Sequence, residues 1–486
     1  MSRKGSEHST SLISAPSATS HIAHECRRPW KRSVVTDFAP QPTPGSTDSS
    51  GVVLGRRISP LIVGLLIALV AAIFVGLGLY DVLGGWVAVG IDYLPVRGAA
   101  QALLDGNSVF TDHLFVYPPT AAVVLLPTAL GSQTGGFVAW VLAGVGALLL
   151  AAGMVARQAP REHRLTVFGV AIMGLLGGVI ANRSLLLGNL SELLVPVAVG
   201  ALLAFRRGRW VLGCALLAAS LLVKPLLAPL VLVPVLHRRW MPLVTTMVPA
   251  GALLLLAMGI VPGGMTFPSV LRYCLTGTNL HGDNAINNLS LRGWAEGQDA
   301  PHALGLAAAA VTLVAIVGLV WRGVRAGNRP SPIWLGAVLL FGTFLVGGIS
   351  EVHFLLIGYA VVLLHIVVDR PPVPLFVPGL ALLGMPEAYL RLVLGRGTTA
   401  QGWLVCAEIL LLAALLIAPT VRRPATVPTT ALHPAAACGC PTVESLVPVP
   451  ALPAAGRSDL RVGDTLETAR LTRDSNTTAD RHIPRP

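Results

Sequence analysis

Long apolar runs alternate with short arginine clusters along most of the chain. The first run, Ile58 to Tyr80, is long enough to cross a bilayer as one helix. Asp81 to Val116 is less apolar and carries Asp92, Arg97, Asp105, Asp112 and His113, as an outer loop would. Apolar runs then return between basic markers at Arg157, Arg161 and Arg164, at Arg206-Arg207-Gly208-Arg209, at His237-Arg238-Arg239, at Arg322, Arg325 and Arg329, at Arg370, and at Arg422-Arg423. With every cluster on the cytoplasmic side, as positive-inside topology requires, the runs between clusters fall into pairs. Arg164 to Arg206 holds two, and Arg209 to His237 holds two short ones that meet at Lys224-Pro225. Arg239 to Arg322 holds two around a polar loop from about Pro262 to Pro301. Arg329 to Arg370 holds two, with Ser350-Glu351-Val352-His353 at the bend, and Arg370 to Arg422 holds two more. One stretch breaks the parity. Two spans between Tyr117 and Arg157 would put Arg157 outside, and Tyr117 to Leu130 is short for a span, so it reads as a half-helix dipping in from the outer face. The pattern predicts an all-α integral membrane bundle with roughly ten to twelve membrane segments.

Three regions follow. Residues 1–55 are rich in Ser, Thr, Pro and His without helical periodicity, and residues 422–486 are rich in Pro, Ala, Thr and Arg; both read as disordered cytoplasmic tails. Residues 56–421 form the membrane domain. No cleavable signal is expected, because the first apolar run starts too far into the chain and is too long. Self-similarity at periods of 20–50 residues and inverted-repeat symmetry are not evident, which argues against a repeat-built transporter.

Composition agrees with a bilayer as solvent. Of 486 residues 53% are hydrophobic and only 12% charged, about half the fraction usual in soluble proteins. The net charge of +12 sits in short loops and tails. No basic stripe with interleaved aromatics accompanies it, so anionic lipid is the expected contact and nucleic acid is not a partner. The six cysteines form no metal-ligand pattern, and Cys438-Gly-Cys440 reads as a pair of free thiols in a Pro/Ala-rich tail. Walker A, dinucleotide, H-E-x-x-H and G-x-S-x-G motifs are missing, which excludes the common nucleotide-driven and soluble hydrolase chemistries.

Ionisable residues at membrane depth or span ends are then the functional candidates, and the topology gathers them on the outer face. Asp92 suits a general base for a hydroxyl, and equally a solvated acid or the N-cap of the amphipathic segment from Tyr93 to Leu104. Lys224 has only apolar neighbours and costs about 2.5–3.5 kcal/mol there unless it snorkels or finds a partner. An anionic phosphate would be a good partner. Asn279 to Ser290 is rich in amides, which suit a polyol sugar and equally a turn. Glu351 and His353 lie at a span mouth, with Tyr359 below them; the imidazole suits phosphate binding, acid–base orientation or an interfacial position. Asn189, Ser191 and Glu192 occupy another outer bend, from which Glu192 is placed to pair with Lys224. A carboxylate, a lysine and amides outside the cell, where nucleotide sugars are not supplied, suggest a lipid-linked donor.

The order of short motifs adds to this. An Asp follows the first span, and the outer segment ends in Leu103-Leu104-Asp105-Gly106-Asn107-Ser108-Val109-Phe110. Next come Tyr117-Pro118-Pro119 with Pro127, Gly188-Asn189, Arg207-Gly208-Arg209, Lys224-Pro225-Leu226-Leu227, His237-Arg238-Arg239-Trp240 and Asn287-Asn288-Leu289-Ser290-Leu291. From about Ile58 to Pro419 this resembles glycosyltransferase family 87, membrane enzymes of the GT-C fold that use polyprenyl-phosphate sugars. Leu222 through Trp240 is similar to the arabinofuranan 3-O-arabinosyltransferases of actinobacterial cell walls, which use decaprenyl-phosphoryl arabinofuranose. Ser350-Glu351-Val352-His353 is similar to the mannosyltransferase branch, where a histidine at that place is functional. The chain departs from the arabinosyl pattern in having Ile91-Asp92 where that branch has two adjacent acids.

The resemblance implies a GT-C-type polytopic helix bundle that transfers a sugar, arabinofuranose in the first instance and mannose as the alternative, by one inverting displacement. Asp92 would be the base, and Lys224 and His353 would bind the donor phosphate. Tyr117, Asn189, Asn287, Asn288, Ser290 and Glu351 would bind sugar or acceptor. No cofactor and no metal are expected, since the lipid-linked sugar is a substrate and no acidic pair stands out. The expected partners are a polyprenyl-phosphate sugar, a cell-wall glycan or glycolipid acceptor and membrane lipid. The expected location is the plasma membrane, with multiple passes, cytoplasmic termini and the active site on the outer face. A lipid-linked-sugar transporter is the alternative from another class; it would want charge along a midplane path rather than at one face.

Overall fold

The computed structural model describes residues 89–276, 288–325, 330–385 and 398–418. Both tails, the first apolar run, Asn279 to Asn287, and Cys26, Cys438 and Cys440 lie outside the described residues. Among the described residues the regular structure is helical throughout, with no strand. The protein is an all-α polytopic membrane protein.

The helices follow the arginine clusters. α1 (Tyr93–Leu104) is the amphipathic outer segment, followed by α2 (Pro119–Val124), a 3₁₀ turn at Leu126–Ala129 and α3 (Gln133–Ala156). α4 (Arg164–Ile172) passes through a π-turn at Met173–Gly177 into α5 (Val179–Leu187), with a 53° bend. α6 (Ser191–Arg206) returns to the basic end. α7 (Trp210–Val223) leads through a 3₁₀ stretch, Pro225–Val231, into α8 (Leu232–Leu236). α9 (Trp240–Ile260), α10 (Phe267–Thr276), α11 (Leu291–Gly297) and α12 (His302–Arg325) follow. α13 (Pro332–Val346), α14 (Phe354–Asp369), α15 (Val377–Gly384) and α16 (Thr398–Ile417) complete the bundle.

Three of these helices are long and apolar enough to cross a membrane alone, and the bent α4–α5 pair makes a fourth. Most of the others, α7, α13 and α14 among them, are shorter than a typical span needs. Several pair as hairpin limbs, and α13 and α14 are largely buried in protein, where irregular backbone is tolerated at membrane depth. The Arg209-to-His237 segment shows the pairing. The His237 ring lies 5.1 Å from the Trp210 ring, and Arg239 stacks 5.4 Å over the same ring. The limbs therefore start and finish together, and Lys224 is the tip. α13 and α14 close in the same way. Ser331 Oγ donates to Asp369 Oδ2 at 2.8 Å, so their basic ends touch and residues 347–353 form the tip.

Packing between helices relies on small residues that let backbones approach. A Cβ on Gly336 would stand 2.6 Å from Leu202 Cδ2, and one on Gly358 would stand 2.8 Å from Phe341 Cζ. The core joins α6, α13, α14 and α16 through residues such as Leu202, Phe341, Leu356 and Leu411. By contrast α9 and α12 turn Leu255, Ile260, Val311 and Val314 outward as broad apolar faces, as lipid contact requires.

Candidate active site

The hairpin tips meet. α5 ends on Gly188, whose φ of +70° is left-handed and whose N–H bonds the Ser184 and Leu185 carbonyls. That fold-back aims Asn189 into the gap between α1 and α7. A Cβ at Gly188 would also lie 2.7 Å from Tyr93 Cβ. Gly188→Ala is therefore expected to cost about 1–2 kcal/mol of left-handed strain alone, with the clash added. A lower melting midpoint together with impaired activity checks this; an unchanged midpoint would show that the turn re-forms.

Asp92 is delivered to the same turn by backbone pairing. Its N–H bonds Leu187 O at 2.9 Å, and the Gly90 N–H bonds Leu186 O at 2.7 Å. Trp140 Nε1 fixes the far side of the turn by donating to Gly188 O at 3.0 Å. Arg97 pins α1 to the 3₁₀ turn through the carbonyls of Thr128 and Gly131.

Lys224 closes the network. Pro225 ends α7, so Lys224 takes an extended backbone and its side chain enters the site, 8% exposed. Nζ donates to Asn189 Oδ1 at 2.8 Å and to Ser191 Oγ at 3.3 Å, and it lies 3.5 Å from His353 Nε2. It also sits over the rings of Phe354 (5.0 Å) and Tyr117 (5.6 Å), which supply cation–π attraction. Asn189 Oδ1 further accepts from Ser191 N at 3.0 Å and Ser191 Oγ at 2.8 Å. Asn189 Nδ2 donates to Asp92 Oδ2 at 2.8 Å. On the other side His353 Nε2 lies 3.0 Å from Glu351 Oε2. One continuous polar chain thus runs from Asp92 through Asn189, Lys224 and His353 to Glu351. Among the described residues the ammonium makes no direct ion pair: a neutral amide separates it from Asp92, and an imidazole separates it from Glu351.

Burial works to raise the half-exposed Glu351 carboxyl, but the His353 imidazole and then the Lys224 charge outweigh it and bring it down to about 2. A carboxylate whose folded value lies below its ordinary 4.5 stabilises the fold above that pH, and the gain is lost as pH falls from 4.5 towards about 2. Thermal melts in that window are expected to decline less steeply for Glu351→Gln than for the parent. The difference is small because the group is half in solvent, and equal slopes would dissolve the pairing.

The structure brings Asp92, Tyr117, Asn189, Lys224, Glu351 and His353 together. Asn288 and Ser290 stand apart from that chain and shape its surroundings. Asn288 Nδ2 donates to Gly348 O at 2.8 Å, and its Oδ1 accepts from Ser350 N at 2.9 Å, which staples the segment before α11 to the 347–353 tip. The fully buried Ser290 caps α11 by accepting from Gly293 N at 3.1 Å. Asn287 lies outside the described residues. Glu192 does not take the lysine. Ser191, its neighbour, does, while the Glu192 carboxylate is buried away from the ammonium. Phe354 escaped the sequence reading, although its position after His353 at a helix start was visible. Among the described residues no cluster of His, Cys, Asp or Glu is arranged to hold a metal ion.

Residues 115–347 match the model of glycosyltransferase family 87. No curated protein matches the chain. The matched stretch contains Tyr117, Asn189, Lys224 and the α6–α7 hairpin base, with Asp92 just before it and His353 just after. Residues 115–347, a little under half of the chain, are thus similar to glycosyltransferase family 87, which indicates a membrane glycosyltransferase.

Proposed function

We propose that the protein moves a sugar from a polyprenyl-phosphate donor to a glycan hydroxyl at the non-cytoplasmic face of the plasma membrane, with inversion at the anomeric carbon. The carrying observation is the buried lysine beside the carboxylate: Lys224 and Asp92 share Asn189, with 2.8 Å on either side. Asp92 takes the acceptor proton. The acceptor oxygen forms its bond to the anomeric carbon as the bond to the phosphate oxygen breaks. The electron pair leaves on polyprenyl phosphate, whose added charge Lys224 faces in a low-dielectric site. A phosphate leaving group needs little acid help, so one base is enough.

The donor sugar in this reading is arabinofuranose, because the chain around Lys224 resembles the arabinosyl branch. A second reading, mannose, is favoured by the placement of His353 at 3.5 Å from the lysine. Transfer assays on purified protein separate them, with labelled decaprenyl-phosphoryl arabinofuranose and decaprenyl-phosphoryl mannose offered singly to short arabinan and mannan acceptors. Arabinose transfer alone supports the first reading, and mannose transfer alone replaces it with the second. Transfer of neither sugar would move the protein towards carrying lipid-linked sugars rather than cleaving them.

A further inference from the structure

Asn189 occupies an unusual position for a sugar-binding amide, because both of its polar ends are already committed. Its oxygen takes Lys224 Nζ, Ser191 N and Ser191 Oγ, and its nitrogen donates to Asp92 Oδ2. At 3% exposure it has little surface left for a ligand. We infer that Asn189 is a positioning residue that reports donor phosphate at Lys224 to the carboxylate of Asp92, so that donor binding strengthens the base. The inference rests on the reading of Asp92 as base and Lys224 as phosphate site.

The argument is electrostatic. Lys224 Nζ on Asn189 Oδ1 polarises the amide, which makes its Nδ2–H a stronger donor to Asp92 Oδ2. A phosphodiester docked on Lys224 offsets that charge. The amide relaxes, the carboxylate loses support, and its affinity for the acceptor proton rises. The order is useful: the base is weak until there is a donor to attack. Tyr117, just before α2, and Glu192, in the first turn of α6, are in electrostatic reach of Asp92, and Arg183 lies on α5, whose end pairs with it. Arg97, on the helix that follows Asp92, is turned to the carbonyls of Thr128 and Gly131. None of these touches both the lysine and the base as Asn189 does.

A structural role alone is the competing account, because Asn189 Oδ1 also accepts from Ser191 N, the first N–H of α6. Two variants of the full chain in detergent separate the accounts. Asn189→Ala removes cap and link together; Asn189→Asp keeps a capping acceptor but sets a carboxylate against Lys224. Each is assayed with whichever of decaprenyl-phosphoryl arabinofuranose or decaprenyl-phosphoryl mannose the parent turns over. The acid limb is measured twice, in kcat/KM for donor and in single turnovers from donor-loaded enzyme. The donor phosphodiester does not titrate in this range. In the parent the donor-loaded limb is expected about one pH unit higher. In both variants the gap is expected to shrink to less than half, with a single-turnover rate about tenfold lower. An undiminished gap in Asn189→Asp, folded as judged by its melting midpoint, overturns the inference while leaving the base and the phosphate site standing. Turnover of neither donor by the parent, or full activity in Asp92→Asn, removes the reading beneath it and the inference with it.

Discussion

Asp92→Asn is expected to abolish sugar transfer while leaving expression, solubility in detergent and melting midpoint close to those of the parent. The amide has the shape of the carboxyl, and its oxygen can still accept from Asn189 Nδ2, which now holds Asp92 Oδ2 at 2.8 Å. The backbone pairing of residue 92 with Leu187 O is independent of the side chain. What disappears is the ability to take a proton. General-base catalysis contributes on the order of 10²–10⁴-fold, so the rate should fall by at least about a hundredfold with the donor KM little changed. Single-turnover assays beside size-exclusion profiles decide it. Retained transfer would remove Asp92 from the chemistry and leave it as a carboxylate that orients Asn189.

Lys224→Met is expected to separate stability from function. A lysine in an apolar surround costs about 2.5–3.5 kcal/mol on insertion scales, and here, among the described residues, the ammonium has an amide, a hydroxyl, an imidazole and two aromatic faces for company. Methionine fills similar volume without that cost, so the melting midpoint should hold or rise. Donor binding should weaken sharply. A charge-assisted hydrogen bond is worth about 1.5–3 kcal/mol, which corresponds to roughly ten- to hundredfold in the donor KM. A raised KM with an intact fold would match that assignment. An unchanged donor KM would mean the lysine holds the hairpin tips together and meets no phosphate.

The placement of these groups was partly legible in the sequence. Arginine clusters revealed the hairpin bases because positive charge is retained on one side, and Lys224 stood out because no apolar run carries a lysine without reason. Asp92 was visible as an acid just past an apolar run. The partners were harder to see. Lys224 lies 35 residues from Asn189 and 129 from His353, so their meeting depends on tertiary packing that no local pattern encodes. Asn288 and Ser290 show the limit of composition: amides and hydroxyls suit sugars and loop staples alike, and the staple is visible only once Gly348 and Ser350 are placed opposite. Glu192 and Ser191 are adjacent on a helix start, and helical geometry turned the hydroxyl, not the carboxylate, towards the ammonium. Span length misled in the same way. Limbs such as α14 look too short for a bilayer because they are supported by neighbouring helices rather than by lipid.

The clasp of Trp210, His237 and Arg239 at the base of the lysine hairpin sets the height of Lys224. α7 has 14 residues, so Lys224 stands about 21 Å above its base at 1.5 Å per residue. That distance is a fixed ruler of hydrogen-bonded backbone, anchored at the arginine-marked end. A thicker or thinner bilayer shifts the opposite water surface, not the lysine. If Lys224 meets the donor as proposed, membrane thickness decides how deep an acceptor must reach, and the protein decides where the bond is made.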